Sequence, residues 1–274
     1  MSKISIITIN YNDKNGLTKT IESVVNQTLS DFEFIVIDGN SSDGSKEVIE
    51  DYKNQISYWV SEPDSGIYNA MNKGIRAAKG DYVLFMNSGD CFLDETILSK
   101  CDKLLNDNFD IYYGNLIYFD KKKNKNVDWL FPNKLTFQFF INHSLPHQAS
   151  FIKKSLFDSV FYYNENLKIA SDWEFFVVAI IKNNATYKHL GITMSEYDFN
   201  GISSDPKNYA LVQSEKKQTY NQYFSMFIDD YKLINELESK RIRNLLYIKN
   251  FKLHWKLIKG FTNILLLFLP KQDK

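Results

Sequence analysis

Ser61-Glu62-Pro63-Asp64-Ser65-Gly66-Ile67-Tyr68-Asn69-Ala70-Met71-Asn72-Lys73-Gly74-Ile75, followed by Gly80-Asp81-Tyr82-Val83-Leu84-Phe85-Met86-Asn87-Ser88-Gly89-Asp90, decides how this chain is read. The two pieces spell a loop, an amphipathic helix, a short apolar strand and an acidic turn at the strand's C-terminal end. In an open α/β sheet, ligands sit outside the carboxyl ends of the strands. A carboxylate delivered there by a buried strand is placed to hold a metal or a nucleotide.

Upstream, Ile4 to Ile9 is a run of mainly β-branched residues, as expected of a parallel strand buried on both faces, and Asn10-Tyr11-Asn12 ends it. Leu17, Ile21, Val24 and Val25 then recur at helical spacing. Phe32 to Ile37 is a second strand, closed by the turn formers Asp38 to Gly44. Ser42 or Asp43 is positioned to cap a helix from Ser45 to Tyr52. Ile56 to Val60 forms a third strand and Tyr82 to Met86 a fourth, with a helix from Ile67 to Ala78 between them. Strand and helix alternating with short loops predict an α/β fold with a mostly parallel sheet flanked by helices. Right-handed crossovers bring the strand ends to one edge.

Downstream, Glu95 to Leu105 reads as a helix, and Asp110 to Phe119 with Asn126 to Phe131 as a hairpin over a lysine-rich turn. Gln148 to Ile152 reads as a strand and Ser171 to Lys182 as one apolar helix opening with Asp172-Trp173-Glu174. Tyr187 to Leu190 and Glu196 to Phe199 read as edge strands, and everything from about Pro206 as helical.

The first three strand ends offer Thr8-Ile9-Asn10-Tyr11-Asn12, Asp38 and Glu62-Pro63-Asp64, a polar shelf suited to a nucleotide. No Gly-x-Gly-x-x-Gly follows the first strand and no Gly-x-x-x-x-Gly-Lys-Ser/Thr occurs, which disfavours a dinucleotide cofactor and a P-loop. The chain also lacks the glycine-rich, basic first loop of a sugar-1-phosphate nucleotidyltransferase. The order and spacing of these motifs resemble the family 2 glycosyltransferases across about Lys3 to Ser204, most strongly through Asp90.

That resemblance implies a GT-A fold in which residues 1–90 bind the nucleotide and 91–204 the acceptor, with a basic helical tail over 205–274. It implies a donor site formed by Thr8, Asn10, Tyr11, Asp38, Asp64 and Asn87. The second strand ends in Asp38-Gly39 where such enzymes usually carry two aspartates, and Met71 stands where many carry an arginine. Their metal motif is reduced here to Asn87-Ser88-Gly89-Asp90, leaving Asp90 to hold Mg2+ or Mn2+. One carboxylate suffices for a hard cation when diphosphate and water complete its shell. Ile169-Ala170-Ser171-Asp172-Trp173-Glu174 resembles the motif carrying the catalytic base, with Asp172 in that role and Glu174 as the substitute; an acidic first turn also suits a helix dipole by itself. His147, Gln148 and the Asn200-Gly201-Ile202-Ser203-Ser204 loop, through Ser203, fall where acceptor or diphosphate contacts are made.

The composition is ordinary for a globular chain of 274 residues, with 44% hydrophobic and 24% charged residues. Charge balances to +0, so the molecule is not a nucleic-acid binder on charge grounds. Aromatic residues, at 15%, are read as core and surface rings rather than as a sugar platform. The two cysteines have no metal-ligand spacing and fit a reducing cytosol. From Arg241 onward, basic residues alternate with Leu, Phe and Trp, a pattern able to pack on its own domain or to lie on a membrane surface. Membrane attachment is the favoured reading. The function implied is transfer of a sugar from a nucleotide-sugar such as a UDP-sugar to a saccharide or lipid-linked acceptor, with inversion, in bacterial O-antigen or capsule synthesis at the cytoplasmic face. The alternative is a non-catalytic nucleotide-sugar-binding module with a degenerate metal motif.

Overall fold

The computed structural model describes every residue except 1, 107, 121–123, 198–200, 203–204, 229, 232–238 and 271–274. Strand β1 (Ile4–Asn10) is buried along its whole length, which accounts for its nearly unbroken apolar run. Helix α1 (Lys14–Val25), strand β2 (Glu33–Asp38), helix α2 (Ser45–Asp51) and strand β3 (Tyr58–Ser61) follow. The N-cap of α2 is Gly44, at φ +94°, rather than Ser42 or Asp43; Asp43 precedes it and accepts from the Ser45 backbone N–H at 3.1 Å and its hydroxyl at 2.6 Å. Helix α3 (Ile67–Ala77) leads to strand β4 (Tyr82–Phe85). Its Gly74 lies so close to β1 that an added Cβ would meet Ile7 Cγ2 at 2.4 Å. That approach lets α3 cover Ile7, whose full burial contributes roughly 1.5–3 kcal/mol.

The second half adds strand β5 (Cys91–Phe92), helix α4 (Ile97–Asp102) and strands β6 (Ile111–Asp120) and β7 (Lys125–Trp129). Helix α5 (Phe137–Asn142), strand β8 (Ser150–Lys153), helices α6 (Lys154–Ser159) and α7 (Ser171–Val177), strand β9 (Tyr187–Tyr197) and helix α8 (Tyr209–Tyr223) complete it. The nine strands form one sheet in the order β3-β2-β1-β4-β8-β6-β9-β5, with β7 on β6. The β3, β2, β1 and β4 ladder is parallel throughout. Only β8, β5 and β7 run against the other strands.

Three local expectations are corrected. The stretch read as two edge strands is one strand, β9, lying inside the sheet between β6 and β5. Gly191, at φ +71°, and shifts of register against β6 interrupt the alternation there. Phe199 lies outside the described residues. The helix expected through Lys182 ends as an α-helix at Val177 and widens into a π-turn over Val178–Lys182. His147–Ala149 is a 3₁₀ turn, so the following strand starts only at Ser150.

The rings pack inside: Phe157 stacks on Phe175 at 4.5 Å, with Tyr163 edge-on to both. Chain contacts divide the molecule into Met1–Gln218 and Thr219–Lys274, a division falling within α8.

Candidate active site

The carboxyl ends of the parallel strands open into a cleft of about 920 Å³. Asn10, Tyr11, Gly39 and Asp64 line one side of it, and Asn87, Asp90, His147 and Gln148 the other.

On the first side, Asp38 is a fully buried brace rather than a lining residue. Its oxygens accept from Asn10 Nδ2 at 2.7 Å, Ser41 Oγ at 2.6 Å, the Ser41 backbone N–H at 2.9 Å and Ser61 Oγ at 2.7 Å. Burial alone would raise its pKa; these donors outweigh that and hold the carboxyl below its ordinary value. Asp38 thereby fixes the loop that follows β2. Thr8 is likewise internal, donating to the Met86 carbonyl at 2.7 Å across β1 and β4.

After β2, Asn40 lines the cleft together with Asp64 from the next strand's loop. A Cβ on Gly39 would sit 2.5 Å from Asp64 Oδ2, so the glycine leaves room for that carboxylate. Asp64 in turn accepts from the Gly66 N–H at 2.9 Å. Tyr11 stands 68% exposed at the rim. Met71, where an arginine was the alternative, is buried on α3.

The turn after β4 is held from beneath by a residue that sequence reading missed. Thr20, buried on α1, donates to the Asp90 carbonyl at 2.7 Å and receives the Gly89 N–H at 3.0 Å. Gly89 has φ +95°, where a side chain would be strained. Ser88 donates to Asn10 Oδ1 at 2.8 Å, tying this turn to the first strand end. The only cue in the sequence was a polar residue among the apolar positions of α1.

At the other side, His147 stands between two carboxylates. Its Nδ1 is 3.4 Å from Asp172 Oδ2 and its Nε2 is 3.7 Å from Asp90 Oδ2. Desolvation opposes charge on the ring, but hydrogen bonds to Asp172 and Asp90 prevail and raise its pKa to about 10. Nε2 also lies 3.1 Å from the Asn87 amide nitrogen. The Tyr68 hydroxyl donates to Asp172 Oδ1 at 3.1 Å, so both oxygens of that carboxylate are engaged. Neither Asp172 nor Glu174 is among the residues that line the cleft: Asp172 is joined to it through His147, and Glu174, two residues on, is buried within α7.

The loop before Asp172 has its own anchor, also missed from sequence. Glu215, on α8 and 3% exposed, accepts from the backbone N–H groups of Lys168 at 2.6 Å, Ile169 at 3.0 Å and Ala170 at 2.9 Å. Lys216 lies 4.7 Å over the Trp173 ring, and desolvation lowers its pKa to about 8. Gly201 and Ile202 reach the cleft, whereas Asn200, Ser203 and Ser204 lie outside the described residues.

A divalent cation is compatible with this donor set. Asp90 gives one carboxylate at the cleft, and the buried Asn87 Oδ1 has no hydrogen-bond partner. No group of three or more His, Cys, Asp or Glu side chains gathers for an ion among the described residues. The set therefore suits a hard cation drawing most of its oxygens from a ligand, not a closed tetrahedral site.

A cleft over parallel strand ends with an acidic turn after the fourth strand is the arrangement of a nucleotide-binding α/β enzyme. The chain belongs to glycosyl transferase family 2, whose family model matches residues 5–160. It is 32% identical over 206 residues to the uncharacterized glycosyltransferase Rv1514c of Mycobacterium tuberculosis, covering 73% of this chain and 77% of that one. It is 26% identical over 244 residues to the poly(ribitol-phosphate) beta-N-acetylglucosaminyltransferase TarP of Staphylococcus aureus, covering 85% and 72%. The fold is similar to that of S. aureus TarS residues 1–349 in complex with UDP-GlcNAc, at a TM-score of 0.59 and 21% identity. That likeness covers 72% of this chain but only 58% of the TarS piece.

Proposed function

We propose that this chain is an inverting, metal-dependent hexosyltransferase. It moves a sugar from a UDP-sugar to a saccharide hydroxyl on a lipid-linked intermediate of a surface polysaccharide such as O-antigen or capsule. The observation that carries this reading is Asp172, gripped by Tyr68 and His147 and joined through His147 to Asp90 beside the nucleotide shelf. Asp64, Asn10 and Tyr11 meet the base and ribose, and Asp90 with the Asn87 amide oxygen holds Mg2+ or Mn2+. Bound there, the cation stabilises negative charge on the departing diphosphate. Asp172 takes the proton of the acceptor hydroxyl as its oxygen bonds to the anomeric carbon and the bond from that carbon to the diphosphate breaks. One displacement inverts the centre, so an α-linked donor gives a β-linkage.

The beta-N-acetylglucosaminyltransferase activity of TarP and the UDP-GlcNAc bound in TarS support trying that donor first. Such an acceptor belongs at a membrane surface, and this reading puts the enzyme at the cytoplasmic face. The test is nucleotide release from a panel of nucleotide-sugars with Mg2+, with Mn2+ and with chelator. Metal-stimulated turnover of one donor supports the proposal. Tight donor binding without turnover of any donor, even with acceptor extract, would favour a non-catalytic binding module.

A further inference from the structure

The helix Lys252–Leu266 carries a division of side chains that the sugar-transfer reading does not use. Successive helical residues rotate by about 100°. Lys252, Lys256, Lys259 and Asn263 therefore fall within one stripe about 60° wide. Leu253, Leu257, Phe261, Ile264 and Leu265 fall within an arc of about 120° on the other side. A helix packed on a domain core needs an apolar stripe of about 100°, and that stripe is covered. Here the arc is bare: Leu253, Leu257 and Phe261 are 69%, 66% and 63% exposed. The helix Lys240–Lys249 before it adds Arg241, Arg243 and Lys249, and neither helix contains an acidic residue.

The helix is too short to cross a bilayer. Its 15 residues span about 22 Å, against a hydrocarbon core of about 30 Å. No helix among the described residues is long and apolar enough to do so. An apolar arc edged by a lysine stripe, with no acidic group to repel phosphate, is complementary to an anionic lipid surface. Lysine stems lie along the apolar boundary while their ammonium groups reach headgroup phosphates.

We propose that Lys252–Leu266 lies flat in the headgroup boundary of an anionic bilayer, with its apolar arc towards the acyl chains and its lysine stripe at the phosphates. The inference is independent of the transfer reaction, because lipid binding is read without donor or acceptor.

The experiment is co-sedimentation of the full chain with vesicles of phosphatidylcholine alone and of phosphatidylcholine with phosphatidylglycerol. Each lysine near an anionic surface contributes about fivefold, so three give a preference for the anionic vesicles of roughly a hundredfold. High salt should erase most of that preference. The double variant Leu257→Glu, Phe261→Glu replaces exposed side chains, so it should keep wild-type circular dichroism and UDP affinity while losing vesicle binding. Three results would each overturn the proposal: no binding of the wild-type chain to anionic vesicles, equal binding to both vesicle types, or wild-type binding by the double variant. A wild-type dimer that the variant converts to monomer, without vesicle binding by either, would assign the face to a second copy instead.

Discussion

Replacing Glu215 should reach the catalytic centre through the backbone. Its carboxylate accepts three N–H groups from consecutive residues, the last belonging to Ala170, the N-cap of α7. Asp172 follows two residues later. Hydrogen bonds to a charged group contribute about 1.5–3 kcal/mol each, and a buried donor left unpaired costs about 1–3 kcal/mol. The three share one acceptor and do not add fully, so Glu215→Ala should cost about 3–5 kcal/mol, a large part of a domain's 5–15 kcal/mol. Glu215→Gln keeps one acceptor oxygen but turns an amide donor towards the loop, and should cost about 1.5–3 kcal/mol. The milder variant is the informative one, because it should remain folded while Asp172 shifts. Misplacing a reacting group by about 1 Å costs on the order of a hundredfold in rate. Urea unfolding gives the stability and steady-state transfer gives the rate, and Glu215→Gln should lower kcat by tenfold or more with KM for the donor little changed. Wild-type stability together with wild-type kcat in that variant would refute the anchoring argument.

The other expectations are narrower. Asp172→Asn should leave UDP affinity intact while transfer falls roughly a hundred- to ten-thousand-fold, and Glu174→Gln should act on stability instead; an active Asp172→Asn beside an inactive, folded Glu174→Gln would exchange their roles. Asp90→Asn should abolish the Mn2+ dependence of UDP binding in calorimetry, and unchanged dependence would remove Asp90 from the cation site. Gly39→Ala should push Asp64 aside and weaken UDP binding while thermal stability changes little. His147 titrates at about 10 in the metal-free fold against an ordinary value of 6.5. Its folded pKa is raised, so the stabilisation from its two carboxylates is full below about pH 6.5 and is lost as pH rises towards 10. The stability gap between wild type and His147→Gln should narrow over that window, and a gap that widens there would reverse the assignment.

The first four strands were legible because each declares itself locally. β1, β2 and β4 are buried on both faces and so read as apolar runs bounded by turn residues. β9 was not legible as one strand, since Gly191 and the register shifts opposite it break its alternation. Of the site, Asp90, His147 and Asp172 were visible as polar residues at element ends, and the fold brings them into one line. What the sequence hid was support. Thr20 meets the turn near Asp90, and Glu215 meets the loop at Ala170, across long stretches of chain. Pairings of that reach have no local periodicity to betray them. Asp38 has hidden support of the same kind, since four protein donors meet this strand-end carboxylate.

Under the role proposed for Asp172, the grip on it also bears on which hydroxyl of a sugar ring is glycosylated. A carboxylate offers about four lone-pair directions, and Tyr68 and His147 occupy one on each oxygen. Clamped from both ends, the group cannot swivel to follow an acceptor. An incoming hydroxyl must therefore approach along one of the few directions left open. Linkage position would then be decided by how the acceptor ring is seated against that fixed carboxylate, so substitutions that reseat the acceptor should change regiochemistry while Asp172 stays unchanged.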